Sequence, residues 1–203
     1  VIMMATAPLL VLGAPITLWF RASSDRARRR IVVPTLRSRP VAILTNPWVT
    51  WFLFAGILMF THFTPFFDWA LRNHDADLFV EKPLFLIGAF LYYLPMIGSN
   101  LLPRRPRTAE RFTSMSLMMI PEAIVGAVIY FSPVILYSAF AEVARPFGPA
   151  PLPDQQLAGA LMWALVMVIE AGWMMLIAVD WFTSEERRAR ILDRENAAGI
   201  VGS

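Results

Sequence analysis

The sequence predicts an all-α bundle of helices that span a membrane. Of the 203 residues, 57% are hydrophobic and only 16% are charged, whereas a soluble domain carries roughly 45–50% apolar and about 25% charged residues. So few charges cannot cover a water-facing surface, which excludes a soluble globular domain and a disordered chain. The apolar residues also fall into stretches of about 20 residues, the length with which a helix crosses a bilayer. These stretches lack the alternation of barrel strands.

Five apolar stretches are each long enough to span the membrane as a helix. In chain order, they are Val1–Phe20, Pro47–Phe67, Leu78–Ser99, Phe112–Ala141 and Gln155–Phe182. We therefore predict one transmembrane domain over residues 1–182 and a charged cytoplasmic tail over residues 183–203, with a short helix at Glu185–Asn196. Because the chain begins inside an apolar run, we expect one or more further spans before its first residue.

The connections between the spans alternate in charge. Arginine is concentrated in the first and third connections and in the tail, at Arg21, Arg26, Arg28, Arg29, Arg30, Arg37, Arg39, Arg104, Arg105, Arg107, Arg111, Arg187, Arg188, Arg190 and Arg194. An excess of Lys and Arg marks cytoplasmic loops, so the pattern predicts a first residue outside the cell and a C-terminus in the cytoplasm. Since this topology explains the basic residues, we expect a lipid bilayer, and not nucleic acid, as their partner.

Large aromatic residues lie mostly toward the predicted ends of the spans, where interfacial belts of Trp and Tyr occur. The set comprises Trp48, Trp51, Trp69, Tyr92, Tyr93, Trp163, Trp173 and Trp181. We therefore expect most of these side chains at the membrane surface.

Residues with side chains suited to copper lie near the predicted outer ends of the spans. His62 is close to the end of the second span, Met59 lies three residues before it, and Met3 and Met4 are near the outer end of the first. Imidazole and thioether groups suit copper, and Cu(I) favours soft sulfur. These four residues form a candidate copper site, although methionine is also an ordinary filler of apolar cores.

Further polar residues lie on the same predicted face of the membrane. Asp68 and His74 follow the second span, and Asp154 and Gln155 open the fifth span. In a purely structural interpretation, His62 makes a hydrogen bond to Asp68 or to the region of Asp154, and His74 is a solvated loop residue.

Two acidic residues fall within the predicted spans. Glu122 lies near the middle of the fourth span, and Glu170 lies deeper in the fifth. Ionisable residues in such positions are rare and often mark ion or proton paths. A buried carboxyl group otherwise pairs with a neighbour, for which the candidates are Tyr130, Asn100, Gln155 or another chain.

The sequence carries no recognisable signature of catalysis. It contains no GxSxG, HExxH, P-loop or GxGxxG motif. It also has no cysteine and only two histidines, which excludes disulfides and thiolate metal sites. We therefore predict that the protein is not an enzyme.

Four segments together resemble a known family. They are APLLVLGAPITL (Ala7–Leu18), THFTPFFDWAL (Thr61–Leu71), FLIGAFLYYLPMIG (Phe85–Gly98) and DQQLAGALMW (Asp154–Trp163). In this order they resemble the CtaG-type cytochrome c oxidase assembly factors, which are polytopic bacterial membrane proteins associated with copper delivery. The resemblance implies a location in the bacterial inner membrane and a role for oxidase subunits as partners.

The resemblance also implies which residues matter. His62 and Asp68 match the external His and acidic positions of the family, and Asp154 and Gln155 match the start of its DQQ helix. The sequence departs from the family where relatives have histidines: it reads Glu-Lys-Pro from Glu81 to Pro83, and it has a glutamate at position 122.

Three functions follow as hypotheses. The first is an assembly factor that handles or delivers copper at the outer face of the membrane. The second is a non-catalytic accessory subunit of a respiratory or other redox membrane complex, which has lost copper ligands. The third is a copper or proton transporter that uses Glu122 as an intermediate site.

Overall fold

The structure is a computed structural model that describes residues 2–98, 102, 106–142 and 148–201, with the side chains of residues 5–194 in those ranges. It is 87% helical, and no strand occurs in these ranges. The prediction of an all-α bundle of membrane helices is confirmed.

Helices follow one another closely along the chain. In the described ranges, helices α1 to α12 are, in order, Ile2–Leu12, Pro15–Ala22, Asp25–Ala27, Val33–Leu36, Arg39–Leu44, Pro47–Phe63, Phe66–Arg72, His74–Ala76, Lys82–Ile97, Thr108–Phe131, Ser138–Glu142 and Pro151–Val201. Two π-helical turns, Arg28–Val32 and Asp77–Glu81, connect α3 to α4 and α8 to α9.

Four helical stretches of the described chain are long and apolar enough to cross a membrane. They are Ala5–Ala22, His74–Ile97, Thr108–Phe131 and Pro151–Arg194. Helices α6 and α7 make a fifth when they are counted as one span, with a bend of 68° between them. The five spans predicted from hydropathy correspond to these five segments in the same order.

The bend between α6 and α7 has a local cause. Pro65 has no N–H to continue the hydrogen-bond ladder of α6 and disfavours helical geometry at the residue before it. Thr64 therefore ends the helix: its hydroxyl donates to the Phe60 carbonyl at 2.7 Å and accepts from the Phe66 N–H at 3.3 Å. The chain then starts α7 in a new direction at the mouth of the bundle.

Helix α9 lies in the middle of the bundle, between α1 and α6. Its residues Tyr92 and Tyr93 are both 0% exposed, and the Tyr92 ring stacks on Phe54 of α6 at 5.6 Å between centroids. The prediction that these two tyrosines lie at the membrane surface is wrong. They belong to the core because α9 is surrounded by other helices of the bundle, whereas hydropathy reports only that the segment is apolar.

Helix α10 packs most extensively against α12, because glycines let the two backbones approach. A Cβ atom added to Gly126 would lie 3.0 Å from the Trp163 Cβ, and one added to Gly159 would lie 2.6 Å from the Tyr130 nitrogen. Small residues at helix crossings are the usual means of close contact in membrane bundles. This contact brings the acidic residues of the two helices into one core.

Two predicted boundaries differ from the structure. The fourth span was expected to reach Ala141, but α10 ends at Phe131 because Ser132 and Pro133 begin an irregular segment before α11. The tail was expected to hold a separate short helix, but α12 continues unbroken from Pro151 to Val201. No proline or glycine interrupts this region between residues 173 and 198, and exposed pairs such as Glu185–Arg188 support it.

Candidate functional site

A cavity of about 430 Å³ opens at the end of the bundle where α6 turns into α7. Residues 62–65 and Asp68 form one side, three apolar residues of α10 form the floor, and residues 136–138 form the other side. Mixed polar and apolar walls around a concave space are the usual setting of a binding site. This space, called the mouth cavity below, contains two of the residues singled out in the sequence, His62 and Asp68.

The hydrogen bonds of His62 fix the tautomer of its ring. Its Nδ1 lies 3.0 Å from the Leu58 carbonyl oxygen and 3.1 Å from the Thr61 hydroxyl. A carbonyl only accepts, so Nδ1 carries the proton and Nε2 keeps its lone pair. Within the described chain, no hydrogen bond to Nε2 occurs. A histidine held through Nδ1–H by a backbone carbonyl is arranged as metal-ligating histidines are.

Aromatic rings hold the imidazole in place. The Phe67 ring stacks on it at 5.4 Å between centroids, and the Phe85 ring meets it edge-on at 5.8 Å. The structure therefore does not support the predicted hydrogen bond from His62 to Asp68 or to the Asp154 region. The ring is instead fixed by its own helix and by apolar neighbours, and the half-buried residue lines the cavity.

Tyr137 lines the mouth cavity and contacts both α6 and α7. Its hydroxyl donates to the backbone carbonyl of His62 at 3.3 Å, and its ring packs edge-on against Phe67 at 4.8 Å. Burial raises the pKa of Tyr137 to about 12, so the hydroxyl stays protonated and continues to donate at neutral pH. This tyrosine ties the irregular segment after α10 to the end of α6.

Asp68 organises the start of α11. Its Oδ1 accepts from the Ala139 N–H at 2.8 Å, and its Oδ2 accepts from the Ser138 hydroxyl at 3.0 Å and from Arg72 Nε at 3.1 Å. A carboxylate that accepts from the first N–H groups of a helix stabilises that helix end. Both oxygens of Asp68 therefore already have structural partners.

Arg72 links α7 to α11. Its Nη1 and Nη2 donate to the two carboxylate oxygens of Glu142 at 2.6 and 2.8 Å, and Nη2 also donates to the Ser138 hydroxyl at 2.9 Å. This fork-to-fork geometry is the strongest arrangement of an arginine and a carboxylate. The hydrogen bonds from Arg72 hold the pKa of Glu142 below its ordinary value.

Side chains at the start of α12 bond the irregular segment 132–137, and part of this segment lines the mouth cavity. Gln155 is buried, with its Oε1 accepting from the Leu136 N–H at 2.7 Å and its Nε2 donating to the Val134 carbonyl at 3.1 Å. Gln156 adds one longer bond, from Nε2 to the Ser132 carbonyl at 3.4 Å. The DQQ sequence and the THFTP sequence thus contact the same segment, residues 132–137, from two sides.

The remaining sequence candidates do not line the mouth cavity. Met59 packs beside the apolar cluster of Leu58, Val125 and Ile129, and His74 is exposed on α8. Asp154 is half-buried at the start of α12. The side chains of Met3 and Met4 lie outside the described residues.

The two acidic residues of the spans lie in the core. Glu122 is 3% exposed and Glu170 is 0% exposed, and their carboxyl groups are close enough to interact electrostatically. The Tyr93 hydroxyl donates to Glu170 Oε1 at 2.7 Å. Neither Tyr130 nor Gln155, two of the partners considered for a buried carboxyl group, bonds Glu122 or Glu170 in the described part of the chain, where Gln155 bonds Val134 and Leu136 instead. The third candidate, Asn100, lies outside the described residues.

Among the described residues that line the mouth cavity, His62 supplies a nitrogen ligand for a metal. No group of three or more His, Cys, Asp or Glu side chains is placed to hold a metal ion in the part of the chain that the structure describes. A single imidazole can take part in binding copper, which accepts imidazole and thioether ligands. It cannot form a closed metal site alone.

Sequence reasoning missed the residues that build the walls of the cavity. Tyr137 and Ser138 line the cavity but are far from His62 in sequence, and the Arg72–Glu142 pair that holds α11 beside the cavity joins two distant segments. The bidentate pair joins positions 70 residues apart. No local pattern signals such a contact.

The chain is similar to a family of known membrane proteins. The family model of the cytochrome c oxidase caa3 assembly factor (Caa3_CtaG) matches residues 1–184. The chain belongs to this family. The family match includes every span and every candidate residue named above, and it ends as α12 enters its charged part.

One curated relative of this assembly-factor family member is similar over nearly the whole chain. The chain is 28% identical over 193 residues to the uncharacterized protein ML1998 of Mycobacterium leprae (strain TN). The alignment covers 92% of this chain and 29% of that protein, so the chain spans less than a third of the length of its curated relative. No solved structure matches the chain.

Proposed function

We propose that this member of the assembly-factor family handles copper for cytochrome c oxidase, with His62 Nε2 as a ligand in the mouth cavity. The supporting observation is that His62 lines the mouth cavity while its Nδ1 lies within hydrogen-bond distance of the Leu58 carbonyl, which leaves Nε2 as the nitrogen with a lone pair for a metal. Copper is the cargo here and not a resident cofactor. The role is non-catalytic.

A site with one strong ligand is suited to passing copper on to a partner protein. An imidazole alone leaves most coordination positions of copper open, so a donor group of a partner can bind before the protein lets go. The remaining ligands would come from an oxidase subunit or from methionines such as Met3 and Met4. The closed tetrahedral sites of structural metals have no such open position.

The charge pattern supports a location of the mouth cavity at the outer face of a bacterial cell membrane. Arg111 and Asp180 pair at the opposite end of the bundle, at 3.2 Å, and the charged part of α12 extends beyond them. An excess of Arg is expected in the cytoplasm. The proposed orientation therefore has the C-terminus inside the cell and His62 facing outward.

The experiment compares copper content in three forms of the full-length protein purified from copper-supplemented membranes. His62→Ala is expected to lose most of the copper that the wild type retains, because it removes the ligating nitrogen. His74→Ala is the matched control: it removes the other histidine, which is exposed on α8, and is expected to retain copper. Equal copper in His62→Ala and the wild type would overturn the proposal.

A second candidate function is a non-catalytic accessory subunit of a respiratory or other redox membrane complex. The observation that favours it is the lack of three grouped His, Cys, Asp or Glu ligands in the described ranges. In this case the wild-type protein would be free of copper and would co-purify in a fixed ratio with the subunits of the complex.

A further inference from the structure

The segment between the first two spans carries positive charge that carboxylates do not balance. Residues 21–39 contain seven arginines and one acidic residue, Asp25, which pairs with Arg28 at 3.1 Å. The other six arginines are exposed, and their side chains make no ion pair or hydrogen bond within the described part of the chain. They are Arg21, Arg26, Arg29, Arg30, Arg37 and Arg39.

The arginines near the end of α12 differ in this respect. Arg188 donates to Glu185 at 3.3 Å, and Arg190 lies 3.6 Å from Glu186. Residues 183–203 contain four arginines and four acidic residues, so the charge of this region is balanced within the helix. Of these two arginine-rich regions, only residues 21–39 have an excess of positive charge.

Arg28 holds the segment at the end of the first span. Its Nε and Nη2 donate to the carbonyls of Phe20 and Ser23 at 3.2 and 3.3 Å, and its Cζ lies 4.7 Å from the centre of the Phe20 ring. The last carbonyls of a helix lack partners within that helix, so Arg28 supplies donors to the end of α2. The same contacts fix α3 and the turn after it against α2.

The segment lies at the level of the membrane surface because a span ends on each side of it. The first candidate span ends at Ala22, and α6 begins at Pro47. Trp19 and Trp48, close to these two positions, are exposed, as tryptophans among lipid headgroups are. Helix α6 leads from this level to the mouth cavity, so the segment lies at the opposite end of the bundle.

Exposed aliphatic residues are interspersed with the arginines. Ile31, Ile43 and Leu44 are exposed, whereas Val32 and Leu36, four residues apart, are buried. The buried residues rest on the protein. Arginines mixed with exposed aliphatic side chains are typical of helices that lie in the headgroup region. In that region, a guanidinium group can bind a phosphate through paired N–H donors.

We propose that the exposed arginines of residues 26–39 bind the phosphate groups of acidic phospholipids, and that this segment selects such lipids from the surrounding membrane. A bilayer of any composition would satisfy the topology that the arginines predict, but their excess charge favours a negatively charged headgroup. Clusters of about four to eight basic residues beside a span are typical of binding to acidic lipids. The inference is independent of the copper ligand proposed at the other end of the bundle.

The test measures the lipid preference of the full chain in phosphatidylcholine vesicles that contain a trace of spin-labelled phosphatidylglycerol or spin-labelled phosphatidylcholine. Electron paramagnetic resonance gives the fraction of each probe that the protein immobilises. We expect the wild type to immobilise more of the phosphatidylglycerol. This preference should shrink as NaCl rises from about 0.1 M to about 1 M, because the screening length falls from ~10 Å to ~3 Å.

The double variant Arg29→Gln/Arg30→Gln is expected to lower the preference by about twofold or more, because it removes two exposed guanidinium groups near the headgroups. Arg188→Gln/Arg190→Gln is the matched control. It removes the same charge from α12, where both arginines pair with glutamates, and it should leave the preference unchanged.

Two further variants keep the test decisive if the first glutamine variant does not fold. Arg29→Lys/Arg30→Lys preserves the charge and should retain most of the preference. Arg37→Gln/Arg39→Gln removes two other exposed arginines of the same segment and should lower the preference as Arg29→Gln/Arg30→Gln does.

Several results would overturn the proposal. Full preference in a folded Arg29→Gln/Arg30→Gln protein would do so, as would an equal loss in the α12 control, which would reflect net charge alone. A preference that high salt does not reduce would indicate contacts with acyl chains. Loss of the preference on addition of inorganic phosphate at constant ionic strength would show a site for a free anion instead.

Discussion

The amide group of Gln155 shows how a single side chain fixes the wall of the mouth cavity. Its oxygen accepts from the Leu136 N–H and its nitrogen donates to the Val134 carbonyl, so both of its polar atoms are satisfied in a buried position. The two backbone groups that it bonds belong to an irregular segment with no ladder of its own. The side chain takes the place of the secondary structure that this segment lacks.

Gln155→Ala is expected to destabilise the protein by about 1–3 kcal/mol, because buried backbone groups at Val134 and Leu136 lose their partners. The measurement is the free energy of unfolding in mild detergent. Gln156→Ala is the control, since its single bond to Ser132 is longer, at 3.4 Å, and its effect should be clearly smaller. Equal losses in the two variants would show that Gln155 has no special role.

At the scale of helices, the close contact between α10 and α12 organises the core of the bundle. Gly126 and Gly159 let the backbones approach until an added Cβ atom would meet main-chain atoms of the opposite helix. Glu122 and Glu170 are carried by these same two helices and are both buried, so the burial of both carboxyl groups depends on this helix contact.

Gly159→Leu is expected to force α12 away from α10 and to lower the free energy of unfolding by about 1–3 kcal/mol or more, as overpacking does. Gly172→Leu is a matched control on the same helix, because a Cβ atom there would meet nothing within 4 Å. Thermal unfolding of both variants in nanodiscs makes the comparison. Equal stability of the two variants would contradict the close contact.

The ion pair between Arg72 of α7 and Glu142 of α11 predicts that the contact between these two helices weakens at low pH. The pKa of Glu142 is below its ordinary value of 4.5 because Arg72 donates to it. The contribution of the ionised Glu142 to stability is therefore complete above pH 4.5, and it is lost as the pH falls through the lowered pKa. We expect hydrogen-exchange protection of the Ala139 N–H to be stable from pH 7 to about pH 5 and to decrease below the lowered pKa.

Glu142→Gln isolates the effect of this carboxylate. It should reduce protection of the Ala139 N–H already at neutral pH, and its remaining pH dependence should reflect Asp68 alone. If the wild type and Glu142→Gln gave the same profile, the ion pair would not contribute to the position of α11.

At the scale of the whole molecule, the sequence predicted the features that hydropathy and local motifs report. The five spans, their order and the family follow from apolar stretches and from segments such as THFTP. The mouth cavity could not be predicted, because it depends on contacts between distant positions, such as Tyr137 with His62. Burial of Tyr92 and Tyr93 was missed for a related reason: in a membrane protein, lipid and protein neighbours are equally apolar, so composition does not distinguish them.

The length of α12 has a mechanical consequence. At about 1.5 Å per residue, an unbroken helix of this length extends roughly 75 Å, far more than the roughly 40–45 Å of a bilayer with its headgroups. Contacts with α10 hold this helix from Gly159 to Asp180, which pairs with Arg111. At the same rise per residue, the part beyond Asp180 extends a further ~30 Å. It carries the arginine-rich turns away from the bundle, so they can meet a partner in the water at a distance from the membrane surface.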